Sequence, residues 1–164
     1  MKQRGFTIVE LLIVIVVIGI LAAIVIVAFN GVQERAVTTT VKSDLANIHK
    51  QMLAFKVDSP TESYPANGNL ASLDIKISES AYYQPTDRNQ FYYCASSDGK
   101  SYALGVISKN NKGFMLADGT VTEVGTSASV YGSSTCIAAG WPSGSGSPAS
   151  GWAPTTGWAN WVKG

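Results

Sequence analysis

The stretch RGFTIVELLIVIVVIGILAAIVIVAF, residues 4–29, decides how the rest of the chain is read. From Leu11 to Phe29 it holds neither a charged residue nor a proline. About 19 residues at about 1.5 Å rise each come close to the ~20 needed to cross a bilayer. Lys2 and Arg4 precede the run, which keeps the short N-terminus cytoplasmic and the bulk of the chain outside. A cleaved secretory signal is the competing reading. It wants a shorter apolar stretch, about 7–15 residues, and a small-residue cleavage site. Ala22, Ala23 and Ala28 are weak candidates for that site. Glu10 stands at the head of the run, and no basic residue lies between Phe6 and Asn30. A carboxylate in a low-dielectric setting is costly, so it calls for a compensating cation.

The helical pattern continues past the apolar run. Val37, Val41, Leu45, Ile48, Met52 and Phe55 recur at steps of three and four, the spacing of one apolar helix face. Thr38, Lys42, Asp44, Asn47, Lys50 and Gln51 fill the remaining faces. Asp58-Ser59-Pro60 ends the pattern, because proline cannot continue the hydrogen-bond ladder. One helix from Phe6 to Val57 would be about 78 Å long at about 1.5 Å per residue. Its first half belongs in lipid or in a bundle of like helices. Its second half needs a domain to pack on.

The remainder is richer in Ser, Thr, Gly, Asn and Tyr, and only 14% of the 164 residues are charged, with a formal net charge of +1. Such a balance gives no electrostatic support for nucleic-acid binding. The segment TESYPANGNLASLDIKISESAYYQPTDRNQ, residues 61–90, reads as a loop-rich connector, with LASLDIKI open to either a helical turn or a strand. Four β-prone runs follow: FYYCAS, SYALGVIS, GFMLA and TVTEV. Asp98-Gly99, Asn110 to Gly113 and Asp118-Gly119 separate them, and such turns between β-prone runs predict hairpins. The expected fold class is therefore α+β: a long N-terminal helix, transmembrane then amphipathic, packed on an antiparallel four-strand meander. Phe91, Tyr93, Ala103, Gly105, Ile107, Met115 and Val121 are candidates for the face that covers the helix.

Cys94 and Cys136 are either a disulfide pair, as suits an oxidising compartment, or two buried thiols. A bridge would close a loop of about 43 residues, worth roughly 4 kcal/mol in the chain-entropy account. The tail WPSGSGSPASGWAPTTGWANWVKG, residues 141–164, carries all four tryptophans, Trp141, Trp152, Trp158 and Trp161. Its linker-like composition predicts little regular structure. Those rings either contact neighbouring subunits or a surface ligand such as a sugar, or fold back on their own sheet. His49 is the sole histidine, placed on the helix, and Asp98 and Asp118 are explained by turn chemistry. No metal cluster, phosphate loop or nucleophile motif occurs, so no cofactor, metal or catalytic residue is expected and the chain is not read as an enzyme.

MKQRGFTIVELLIVIVVIGILAAIVIVAF as a whole resembles the N-terminus of type IV prepilins and the related pseudopilins. The matching elements are the basic leader ending in Gly5, then Phe6, Thr7, Glu10, Leu11-Leu12 and the long apolar helix. The resemblance implies cleavage between Gly5 and Phe6 by a prepilin peptidase, N-methylation of Phe6, and assembly through Phe6 and Glu10. Cutting there creates an ammonium group, the cation that Glu10 lacks, and the resemblance favours pairing between neighbouring chains. Pilins often carry a C-terminal disulfide-bounded loop, which the Cys94–Cys136 pair would suit. The implied organisation is a leader (1–5), a transmembrane and polymerisation helix (6–30), an amphipathic half-helix (31–59), a β-rich pilin domain (60–140) and the tail (141–164). The implied function is a structural subunit of a type IV pilus, a homopolymer that supports adhesion, motility or DNA uptake. A pseudopilin of a type II secretion or competence system is the first alternative. A membrane-anchored binding domain using the Trp-rich tail is the second. Partners would be the peptidase, the pilus assembly machinery and the cytoplasmic membrane, before export to a surface filament. The sequence departs from many members at Val27, where they carry proline. Helix continuity is the expectation there, with Gly31 the next weak point, at about 1 kcal/mol relative to alanine.

Overall fold

The computed structural model describes residues 6–66, 70, 73–86, 90–125, 130–140, 149–153, 155–160 and 162–163, with backbone alone for Val27, Asn30, Ser133, Ser150 and Trp152. Helix α1 spans Ile8–Asp58, with helical backbone through Val27 and Gly31. The chain divides into two compact units, Met1–Ala36 and Val37–Gly164.

In the second unit, α1 is amphipathic and its seam is the core. Val41, Leu45, Ile48 and Met52 are all fully buried. They pack in one cluster with residues from the sheet strands β2 (Gln90–Ala95), β3 (Tyr102–Ile107) and β4 (Gly113–Ala117). With β5 (Thr120–Glu123) these form the antiparallel meander expected from the turns. At the β4–β5 turn, Asp118 and Gly119 take φ of 44° and 92°, the two left-handed positions that a tight two-residue hairpin demands.

Strand register sets which face meets the helix. Tyr93 pairs with Leu104, Leu104 with Leu116, and Leu116 with Val121, so these side chains share one face. Phe91, Tyr93 and Val121 lie on the helix side as expected. Ala103, Gly105, Ile107 and Met115 alternate with that set and lie on the opposite face, so their assignment to the helix side is corrected. Sequence alternation misled there because β3 is buried on both faces. The second face is covered by α2 (Ser133–Ala138). A Cβ on Gly105 would stand 2.5 Å from Thr135 Oγ1, so α2 lies against bare backbone at this point. Cys94 in β2 and Cys136 in α2 are joined as a disulfide across that contact, with Cα atoms 5.7 Å apart.

Two further findings concern polar and tail residues. Asp44, placed off the apolar helix face, is nonetheless buried and accepts from Ser78 N at 2.8 Å and Tyr82 Oη at 3.1 Å. Backbone and phenol donors in the connector replace the water it gives up. The tail, read as lacking regular structure, contains β6 (Ala149–Ala153), β7 (Gly157–Trp158) and β8 (Val162–Lys163). Strand β6 pairs with the outer edge of β2 and carries β7, giving the order β5-β4-β3-β2-β6-β7. Backbone pairing to an open edge does not require β-prone side chains, which is why composition failed to reveal it. Strand β8 pairs in parallel with β1 (Ile75–Lys76) in the connector, so LASLDIKI does contain a strand.

Four tyrosines belong to the core, Tyr64, Tyr82, Tyr93 and Tyr102. Burial pushes Tyr82, Tyr93 and Tyr102 above their ordinary value, with the Asp44 carboxylate adding to the effect at Tyr82. For each, the folded pKa exceeds the unfolded one, so the stability it contributes is complete below about pH 10 and is lost as pH rises further. Ultraviolet titration of tyrosinate should show these phenols ionising together with alkaline unfolding, rather than in the folded chain near pH 10. The helix seam gives a second expectation. Leu45→Ala should destabilise the folded unit by about 2–5 kcal/mol, whereas the exposed Leu53→Ala should change it by no more than ~0.5 kcal/mol. Denaturant titration of the detergent-solubilised full chain checks both.

Candidate assembly segment

In the first unit, the described residues from Ile8 onward are helical and their side chains are exposed. Phe6 is 89% exposed, and the large apolar side chains described from Ile8 to Val32 are all exposed. The helix is long and apolar enough to cross a membrane. A soluble chain leaving this much contiguous apolar surface uncovered would aggregate, so lipid or other apolar helices must cover it.

Glu10 is engaged at the head of this helix. Its Oε2 accepts from Thr7 N at 2.8 Å and from Thr7 Oγ1 at 2.7 Å. Thr7 Oγ1 in return accepts from Glu10 N at 3.3 Å. This is a reciprocal capping box: Thr7 precedes the first helical residue, and Glu10 is three positions on. It satisfies backbone donors that the helix start leaves without partners. The signal was readable as Thr-x-x-Glu, yet the sequence reading assigned Thr7 no structural role.

The other predicted residues divide as follows. Gly5 lies outside the described residues, as do Trp141 and Trp161; only the backbone of Trp152 is described, paired with Gln90 and Trp158. Trp158 is half-buried and folds back, its ring edge-on to Phe91 at 5.8 Å and to Tyr82 at 6.2 Å. The Trp158 Nε1 is buried and has no hydrogen-bond partner among the described residues. His49 packs under the β4–β5 turn, its Nδ1 2.9 Å from Tyr102 Oη. Gly119 is required there, since a Cβ would stand 2.6 Å from His49 Nε2. Asp118 accepts from Tyr102 N, and Asp98 from Ser96 Oγ and Lys100 N, so both carboxylates serve their turns. Among the described residues, no group of acidic, histidine or cysteine side chains is placed to hold a metal ion. What the N-terminal segment offers, among the described residues, is an apolar surface with one carboxylate at its head.

The family described as "Prokaryotic N-terminal methylation motif" matches residues 1–26. The N-terminal segment carries this motif, and the relatives that the chain is similar to are type II secretion core proteins, fimbrial proteins and a type IV pilin. It is 29% identical over 136 residues to type II secretion system core protein G of Escherichia coli K12, covering 77% of this chain and 94% of that one. It is 26% identical over 109 residues to a fimbrial protein of Pseudomonas aeruginosa, covering 66% of this chain and 71% of the relative. Its N-terminal part is 50% identical over 44 residues to the type IV major alpha-pilin of Moraxella bovis, covering 27% of this chain and 28% of that pilin. No solved structure matches the chain significantly.

The capping geometry yields an expectation specific to Thr7. Thr7→Ala should weaken the first turn by about 0.5–2 kcal/mol, seen as a roughly 2- to 30-fold loss of amide protection at Glu10 and Leu11, the first-turn amides that have acceptors. Hydrogen exchange on the micelle-bound chain measures it, and amides beyond the second turn should be unaffected.

Proposed function

We propose that this chain is the structural subunit of a type IV filament, held in the membrane as a precursor and polymerised through its N-terminal helix. The observation that carries this is the uncovered apolar helix with a single carboxylate at its head, next to a prepilin-type junction. A prepilin peptidase cuts between Gly5 and Phe6, and the new amine on Phe6 is methylated. In the apolar interior of the filament, an unpaired ammonium or carboxylate is costly, and pairing the two recovers much of that cost. Glu10 of one subunit then pairs with the Phe6 amine of a neighbour, which makes the charge a register mark as well as a penalty for misalignment. Subunits slipped along the helix axis leave both charges unpaired.

Within this reading, the secretion branch has the stronger support. The alignment to the E. coli secretion protein runs along 94% of that protein, whereas the pilin of M. bovis is matched over 28%. The pilus branch is supported by the fimbrial protein of P. aeruginosa and by the disulfide that ties α2 to β2. Filament length separates the two: a short periplasmic fibre belongs to secretion, a long surface fibre to a pilus that serves adhesion, motility or DNA uptake. Electron microscopy of sheared surface material distinguishes them.

Glu10→Ala should yield precursor that is inserted and processed to a methylated Phe6, as read by mass spectrometry, but should assemble few or no filaments. Normal filament yield from that variant, or a mature chain beginning elsewhere than Phe6, overturns the proposal.

A further inference from the structure

A groove of about 390 Å³ opens in the second unit where the C-terminal end of α1, the start of the connector and the β2–β3 turn meet. Such a volume lies at the lower end of the range for small-molecule sites, about 300–1,000 Å³. Phe55 and Tyr64 contribute the aromatic surface, and Ser59, Thr61 and Ser63 a row of hydroxyls. The three hydroxyls are linked in a chain, Ser59 Oγ to Thr61 Oγ1 and Thr61 Oγ1 to Ser63 Oγ. Asp98 faces them from the turn, exposed to solvent.

The walls are fixed by contacts that do not depend on a ligand. Tyr64 N donates to Gly99 O at 2.8 Å, which ties the connector to the β2–β3 turn. Gly99 takes φ 67° and comes so close to the connector that a Cβ would stand 2.8 Å from Ser63 Cβ. Tyr93 Oη donates to Pro65 O at 2.7 Å and anchors the same wall from the core. A site built this way is ordered before any ligand arrives, which lowers the ordering cost of binding.

The charges near the groove select the ligand class. Lys100 Nζ donates to Thr61 O at 2.9 Å and Glu62 O at 3.2 Å, and so staples the wall rather than lining the opening. Lys56 lies over the Tyr64 ring at 4.6 Å and also reaches Lys100 O. The charged side chain that does line the groove is Asp98, whose hydrogen bonds from Ser96 Oγ and Lys100 N lower its pKa and keep it ionised. A phosphate or carboxylate ligand would meet this anion, whereas Lys56 and Lys100 are engaged on the wall and are not among the lining side chains. A lipid tail would meet hydroxyls and a carboxylate. A ring with one apolar face and several hydroxyls fits both halves of the lining, stacking on an aromatic surface and donating to the carboxylate.

We propose that this groove is a binding site for a neutral saccharide, separate from the tryptophan-rich tail and from the assembly helix. Stacking falls to Phe55, and Asp98 and the serine-threonine row take the hydroxyls. The test uses the full-length processed chain in a detergent without a sugar headgroup. It is applied to an array of neutral oligosaccharides of glucose, galactose, mannose and N-acetylated hexosamines, with uronic and sialic acid counterparts alongside. Neutral saccharides should bind saturably, and acidic ones more weakly. Asp98→Asn, at an exposed turn, and Phe55→Leu, which keeps apolar packing but removes the ring, should each weaken binding by about tenfold or more, as loss of an anchoring contact does. Both variants should retain the disulfide and assemble filaments as before. The proposal is overturned by no binding to any neutral saccharide, by preference for the acidic set, or by affinity unchanged in Asp98→Asn. It is equally overturned if Asp98→Asn alters only self-association, which would make the groove a contact between copies of this chain.

Discussion

The folded unit depends on one seam. Val41, Leu45, Ile48 and Met52 form the apolar stripe of α1 that packs into the core, and all four are fully buried. An isolated helix is marginal in water, and a small sheet with one bare face is no better. Each supplies the other's missing surface. The stripe has a second consequence, because a helix committed on one face has polar positions left on its flanks. Asp44 lies on such a flank and is drawn inside by Ser78 and Tyr82. The connector is therefore fixed to the helix by polar contacts where apolar ones are absent.

Strand β2 is the second point of dependence. It holds the interior of the sheet, with β3 on one side and β6 on the other. It also supplies Tyr93 to the helix side and Cys94 to α2 on the other side. A strand loaded on both edges and both faces cannot shift register without breaking all four sets of contacts at once. The disulfide adds to this by limiting how far α2 can separate from β2 in the unfolded chain.

Legibility followed the length scale of the interaction. The long helix, its stop at Pro60 and the meander could be read because periodicity and Asp-Gly turns are local signals. Asp118-Gly119 was read as a hairpin turn, and both residues adopt the required φ. Pairings between distant segments could not be read. Nothing local in Ile75–Lys76 or Val162–Lys163 announces that they form a sheet together. Gly105 looked like an ordinary strand position, and only the approach of Thr135 explains the absence of a side chain. Asp44 was polar at a polar position, and its burial depends on donors more than thirty residues away. At the assembly segment the apolar run and Glu10 were plain, while the role of Thr7 was present as a motif and passed over.

That role bears on how one carboxylate serves two demands. Thr7 uses a single oxygen of Glu10, Oε2, for both of its donated hydrogen bonds. A carboxylate has about four acceptor positions on two oxygens, so the cap consumes a part of its capacity. Capping also fixes the side chain against the first turn, which removes rotamer freedom before any partner arrives. On the assembly reading, the approaching ammonium group then meets a carboxylate already held at the helix head, beside the residue that follows the cleaved junction. On that reading the helix start and the proposed subunit contact fall on the same short segment, Phe6 to Glu10. This accounts physically for a charged residue standing where every neighbour toward the C-terminal side is apolar.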